Sequence, residues 1–222
     1  TGADPLYQPA NPRPDTQVVK IGPTHLGEMR TVPNDFYVGR ALDLYGEYSM
    51  AEAKLFQSLV RPGDHVIEGG AHLGAHTLLL ARAVGAGGAV TAFEPQPFLA
   101  HVLRANLGMQ QCHWVHVREE GLSETPGRCP LRPLDYARIG NFGGLELKAG
   151  SEGSVRLTTI DELLLERLDF LKLDIEGMEP QALRGARTTL RKFKPILYIE
   201  VDRPAQKAQV LEELAALGYR RR

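Results

Sequence analysis

Four acids stand at or near the C-terminal ends of apolar runs in this chain. Glu68 follows Val66-Ile67, Glu94 follows residues 89–93, Asp174 follows residues 170–173, and Glu200 lies in the run 195–201. Short apolar runs rich in β-branched residues read as buried strands. Carboxylates gathered at one end of a sheet accept hydroxyl protons, face a cationic ligand, or hold a divalent metal through oxygen. Between the first run and the next helical segment lies Glu68-Gly69-Gly70-Ala71-His72-Leu73-Gly74. Glycine lets a backbone approach a ligand closely, and the helix that follows from Ala75 offers unpaired N–H groups at its start.

Strand, glycine turn and helix form the first half of a βαβ nucleotide site, and two ligand classes use it. A dinucleotide site wants G-x-G-x-x-G. Gly69 and Gly74 have that separation, but Ala71 holds the middle position. The pattern acid-x-Gly-x-x-x-Gly is met by Glu68, Gly70 and Gly74, and it resembles motif I of class I S-adenosylmethionine (SAM) methyltransferases. Glu94 lies about 20 residues past the glycine turn, where a carboxylate can accept both ribose hydroxyls. SAM and NAD both carry that ribose, so Glu94 does not separate them.

The elements that must position these residues follow from pattern. Residues 1–34 hold six prolines and form an N-terminal arm, with residues 17–21 and 28–32 as short strands. Ser49 and Glu52 have capping-box spacing ahead of a helix through Ala51, Leu55, Phe56 and Leu59. Tyr48, just before it, is a candidate ligand contact. A helix over 98–107 leads to a third strand, 113–117, which carries His116. Leu122-Ser123 follow in a loop. Residues 124–152 read as an irregular, substrate-facing insertion centred on Asn141-Phe142-Gly143-Gly144. Later come a short strand at 155–157, a short helix from Thr159, and a helix with Pro180 at its first position. A last helix is capped by Asp202, opened by Pro204 and ended by Gly218. Alternating strands and helices predict an α/β fold: a doubly wound, mostly parallel sheet with helices on both faces, and ligands beyond the C-terminal strand ends. One domain over 35–222 is expected.

The chain has 222 residues, 43% hydrophobic and 24% charged, with a net charge of −1. No global field favours nucleic acid or an anionic membrane. No apolar run approaches the roughly 20 residues that span a bilayer. Cys112 and Cys129 are too few for a disulfide framework, and no Cys/His cluster has zinc spacing. The expectation is a cytoplasmic protein that works on small molecules, with no resident metal; the pattern is silent on oligomeric state.

With Asp174-x-Glu176-Gly177-x-Glu179 added, the chain resembles the FkbM family of SAM-dependent methyltransferases from about Asn34 to Tyr219. The resemblance rests on Gly39-Arg40, Tyr45-Gly46-Glu47, the turn from Glu68 to Gly74, His76-Thr77, Phe93-Glu94-Pro95, Asn141 to Gly144, Leu171 to Glu179, Pro195 to Glu200 and Leu217-Gly218-Tyr219. It implies a class I methyltransferase (Rossmann-like) fold, SAM as donor, S-adenosylhomocysteine as product, and O-methylation of a hydroxyl on a sugar or natural product. It suggests cofactor contacts at Gly70, Gly74 and Glu94, with Glu68, His72, Ser123, Asp174 and Tyr48 beside them. The family turn usually reads Asp-x-Gly-Ala-Asn-x-Gly, so Glu68 and His72 depart from it. The family sheet usually continues with an antiparallel pair beyond the position of Tyr219.

Methyl transfer is an in-line displacement, and aligning the groups contributes about 7–11 kcal/mol. A base gives about 10²–10⁴-fold more. Asp174 and Glu176 are the first candidates, then His116 and Glu200. Three alternatives stand beside this reading: a nicotinamide oxidoreductase, a methyltransferase whose metal is held by Asp174 and Glu200, and a SAM-binding module without turnover.

Overall fold

The computed structural model describes residues 15–145, 147, 154–201 and 203–220. The chain opens on a hairpin, β1 (Lys20–Thr24) and β2 (Gly27–Thr31), paired from Lys20–Thr31 to Thr24–Gly27. Two helices follow, α1 (Val38–Tyr45) and α2 (Met50–Leu59). Then come β3 (His65–Gly69), α3 (Ala75–Val84), β4 (Ala89–Phe93), α4 (Pro97–Met109) and β5 (Val115–Arg118). Three short strands, β6 (Glu120–Leu122), β7 (Gly127–Cys129) and β8 (Val155–Thr158), form a side sheet in the order β6-β8-β7. After a 3-10 turn at Asp161–Leu163 come β9 (Phe170–Leu173), α5 (Glu179–Arg184), α6 (Arg187–Phe193), β10 (Ile196–Ile199) and α7 (Pro204–Ala216).

The main sheet has the order β10-β9-β3-β4-β5, and every pair in it is parallel. Alternation along its strands decides the layers. Val66, Val90 and Phe170 point to one face and pack with Phe56 of α2 and with Leu80 and Val84 of α3. Ile67, Leu171 and Leu173 point to the other, against Ala182, Leu183, Leu190 and Val210 of α5, α6 and α7. Helices on both faces make the sheet doubly wound. This is the class I methyltransferase fold.

The hairpin joins the main core. Leu26 and Met29 are buried with Leu78 of α3 and Leu103 of α4. The buried Asn106 of α4 accepts from the Arg30 backbone N–H and donates to the Arg30 carbonyl, locking β2 to the domain.

Three local expectations are corrected. Ser49 does not cap α2 with its side chain: it sits in left-handed backbone at φ 44°. Glu52, the supposed partner in the box, instead accepts a 2.5 Å hydrogen bond from the Tyr198 hydroxyl of β10. Second, residues 120–129 are not irregular but carry β6 and β7, because β8 pairs with β6 in parallel and with β7 antiparallel and so satisfies their backbone. Third, α5 starts at Glu179, which puts Pro180 at its second position. Asp202 lies outside the described residues.

Candidate functional site

The parallel sheet sends β3, β4 and β9 out at the same end. A cleft opens there, with about 480 Å³ of space counted to its solvent mouth. Gly70, Glu94, Asp174, Ile175 and Glu176 line it. Leu122, Leu147, Ile175 and Met178 supply an apolar wall. A smaller polar pocket adjoins it, walled by Asp174, Glu176, Glu200, Arg203 and Gln206. Asp174 and Glu176 line both.

Two turns shape the cleft. In the first, Gly70 has φ 80°, and a Cβ built on it would stand 1.8 Å from the Asp174 carbonyl oxygen. The two strand ends therefore touch backbone to backbone, a contact only glycine permits. Glu94 holds this turn from the neighbouring strand: Oε2 accepts the His72 N–H at 2.8 Å and Oε1 the Gln96 N–H at 2.9 Å. Burial pushes the Glu94 carboxyl up to about 7, against the opposing pull of those two N–H donors. In the second turn, Glu179 accepts from the Ile175 and Gly177 N–H groups at 3.0–3.1 Å.

Beneath the turns lies a buried charge row. Glu68, Lys172 and Tyr198 are register neighbours on β3, β9 and β10. Glu68 is fully buried and Lys172 is 1% exposed. The Lys172 ammonium stands 3.6 Å from Glu68, 3.3 Å from Asp174 and 3.4 Å from the Gly70 carbonyl. Burial works to lower the Lys172 pKa, yet the carboxylates of Asp174 and Glu68 outweigh it and hold the amine above its ordinary value. Burial raises the Glu68 carboxyl, in spite of Lys172 and the 2.6 Å hydrogen bond from the Thr77 hydroxyl.

Of the residues singled out in the sequence, the cleft brings together Gly70, Glu94, Asp174 and Glu176. The others lie elsewhere. The four acids do not form one rim, because Glu68 is tucked under the turn with Thr77 and Lys172. The buried His72 ring lies 3.7 Å from Asp35, and burial lowers its pKa. Gly74 caps α3 and packs against Leu103 of α4. Ser123 is buried, its N–H given to the Thr158 carbonyl. The Tyr48 ring lies tilted against His76, centroids 5.5 Å apart, and lines neither pocket; burial and then the charges of Asp174, Glu200, Glu52 and Asp35 raise its pKa. His116 is exposed on the edge strand β5, paired with Thr91 two residues short of the strand end, and does not reach the cleft. Among the described residues no group of three or more His, Cys, Asp or Glu is spaced to hold a metal ion. Both cysteines are buried and unpaired. No helix among the described residues is long and apolar enough to cross a membrane.

Sequence reasoning missed Lys172, Gln96 and Asp35. Lys172 had a usable signal: it shares the strand face of Phe170 and Asp174 by period two. Gln96 and Asp35 fasten the roof of the cleft, which carries Gly143, Leu145 and Leu147. Gln96 donates to the Phe142 carbonyl at 2.7 Å and accepts from the Tyr136 hydroxyl at 2.9 Å. Asp35, fully buried, accepts from the N–H groups of Phe142 and Gly39. Nothing local in the sequence announces bonds across 40, 46 or 107 residues.

Comparison with known proteins agrees with this geometry. A family model described as the methyltransferase FkbM domain matches residues 68–221. Among solved structures, the methyltransferase FkbM of Methylobacillus flagellatus KT superposes with a TM-score of 0.53 at 21% identity, over 74% of this chain and 44% of that one. The chain thus spans less than half the length of that relative. A SAM-dependent O-methyltransferase of Thermotoga maritima gives 0.50 at 18% identity, over 91% of this chain and 71% of that one. A precorrin-6y C5,15-methyltransferase of Geobacter metallireducens GS-15 gives 0.52 at 12% identity, over 78% and 72%. At these identities the structures speak for the fold alone. No curated protein matches the chain.

Proposed function

The chain belongs to the FkbM methyltransferase family, and from that premise we propose that it moves a methyl group from SAM to a hydroxyl of a small polyhydroxylated acceptor, a sugar or natural product. The observation that carries this reading is the pairing of two unlike pockets through Asp174 and Glu176. One is larger and partly apolar; the other is smaller and polar.

The residues of the larger cleft fit the cofactor. The apolar wall of Leu122, Leu147, Ile175 and Met178 suits a flat base. The Glu94 carboxylate suits a ribose diol, and the tight contact between Gly70 and Asp174 leaves the backbone bare for an amino acid end. When bound, SAM supplies an electrophilic methyl group on a sulfonium. The chain's own work is then alignment and proton acceptance. Asp174 is the carboxylate best placed to take or orient the acceptor's proton, since it stands where the two pockets meet. Glu176 is a weaker candidate, because its backbone carbonyl accepts from Arg203 and its carboxylate lies 3.7 Å from the same guanidinium. His116 is too far out to serve.

Titration calorimetry with SAM, S-adenosylhomocysteine and NAD tests the cofactor assignment. Binding of the first two, weakened at least tenfold by Glu94→Ala and with NAD silent, is the expected result. Heat from NAD alone would overturn the reading.

A further inference from the structure

We propose that Lys172 is a positioning residue: its buried ammonium sets the spacing between the glycine turn and the Asp174 carboxylate at the site of methyl transfer. A lysine 1% exposed inside a parallel sheet is not there for solubility. Its three oxygen neighbours belong to three different parts of the site. Glu68 is the register partner on β3, Gly70 belongs to the cofactor-side turn, and Asp174 to the acceptor-side turn. One cation thus ties the two turns together exactly where their backbones already touch.

Glu68 neutralises the lysine within the sheet, and Thr77 holds the other Glu68 oxygen. That leaves the Asp174 carboxylate, 31% exposed, as the only one of the two acids facing the pockets. Glu68 and Lys172 thus form a neutral buried base on which Asp174 is mounted. The inference rests on the SAM reading, because it assigns Asp174 the cation or acceptor proton at the transferred methyl group.

The test needs no acceptor. Sinefungin carries an amine where SAM carries its methylsulfonium, whereas S-adenosylhomocysteine has a neutral sulfur there. The ratio of their affinities reports how well a carboxylate faces that position. Lys172→Met alone strands Glu68 as an unpaired buried charge and is expected to lose stability. Glu68→Gln with Lys172→Met removes both charges and keeps an acceptor for Thr77. In calorimetry, the wild type is expected to prefer sinefungin. The double variant is expected to bind S-adenosylhomocysteine within about threefold of wild type and to lose about tenfold of its preference for the amine. Asp174→Asn is expected to lose the same preference.

A double variant that keeps the wild-type ratio would show that Lys172 only fills the core. If that variant does not fold, Asp174→Asn decides, and an unchanged ratio there overturns the proposal. A wild type without preference for the amine also overturns it. A wild type that binds neither compound overturns the SAM reading instead.

Discussion

The turn after β3 and the turn after β9 touch at Gly70 and Asp174 and both line the cleft, and each bends through a left-handed non-glycine residue at φ 52°, His72 in one and Glu176 in the other. Each is also clamped by a buried carboxylate that accepts backbone N–H groups. The clamps come from different places. Glu179 lies within four residues of the N–H groups it holds, so the second turn is self-contained. Glu94 lies 22 residues from His72, at the end of the neighbouring strand. The first turn therefore keeps its shape only while β4 keeps its register on β3. Its clamp also lines the cleft, so under the proposed SAM reading turn geometry and ligand binding are joined in one carboxylate.

The sharpest way to break this comparison is to add a methyl group to each turn. Gly70→Ala puts a Cβ 1.8 Å from a backbone oxygen, with φ at 80°. Neither strand end can yield without moving the other, so cofactor binding is expected to vanish from calorimetry. Gly177→Ala, at φ 100°, meets the ends of Arg203 and Gln206 instead, both flexible side chains. Left-handed strain of about 1–2 kcal/mol is its main cost, and binding should weaken no more than about tenfold. Equal losses from the two substitutions would mean that the turns are not built differently.

A second contrast is electrostatic. The Glu94 carboxyl is raised from 4.5 to about 7 by burial. A folded-state pKa above the unfolded one means that the native state holds the proton longer. The associated stability is complete below about 4.5 and is lost as pH rises through about 7, on the order of 3 kcal/mol in all. Urea denaturation should therefore show the wild type losing stability between pH 5 and pH 8, and Glu94→Gln losing that slope; near pH 5 the variant should lie below wild type, because its amide NH2 cannot accept from one of the two N–H groups that Glu94 holds. Glu179→Ala has the opposite character. It strips the Ile175 and Gly177 N–H groups of their buried acceptor and is expected to cost about 1–3 kcal/mol at both values. Cofactor binding adds a further sign. Under the proposed reading, ribose hydroxyls would donate to the ionised form of Glu94, so affinity should fall by up to about tenfold per pH unit below 7. Glu94→Gln should flatten that slope.

What was legible in the sequence follows the same division. Strand periodicity and the glycine spacing disclosed a mostly parallel sheet and the first turn, because those patterns are local; the strand order came only with the structure. The side sheet was missed because β6 and β7 are three residues each, too short for period two to emerge from a loop. Ser49 and Glu52 had the right spacing for a cap, but Tyr198, 146 residues on, competes for the same carboxylate and wins it. The charge row under the turns was hidden for a related reason. Lysine in a strand usually marks a solvent edge; the face it shares with Phe170 hinted otherwise, and the register with Glu68 and Tyr198 shows that Lys172 is inside.

The smallest expected effect concerns the edge of the sheet. His116 lies on β5, the strand beside the one that ends at Glu94, and sequence alone makes it a plausible base. In the structure its strand is the outermost one, and Val115 and Val117, not His116, turn toward the α4 core. Its ring is exposed, so removing it uncovers no cavity and breaks no buried bond. His116→Ala should change stability by no more than about 0.5 kcal/mol and leave the affinity for S-adenosylhomocysteine within about twofold. Asp174→Asn, measured beside it, should leave that affinity similar yet abolish any advantage of a cationic ligand. If His116→Ala instead altered the response to the cationic ligand, the acceptor side would extend across β4 to the sheet edge, and the two turns would no longer bound the site.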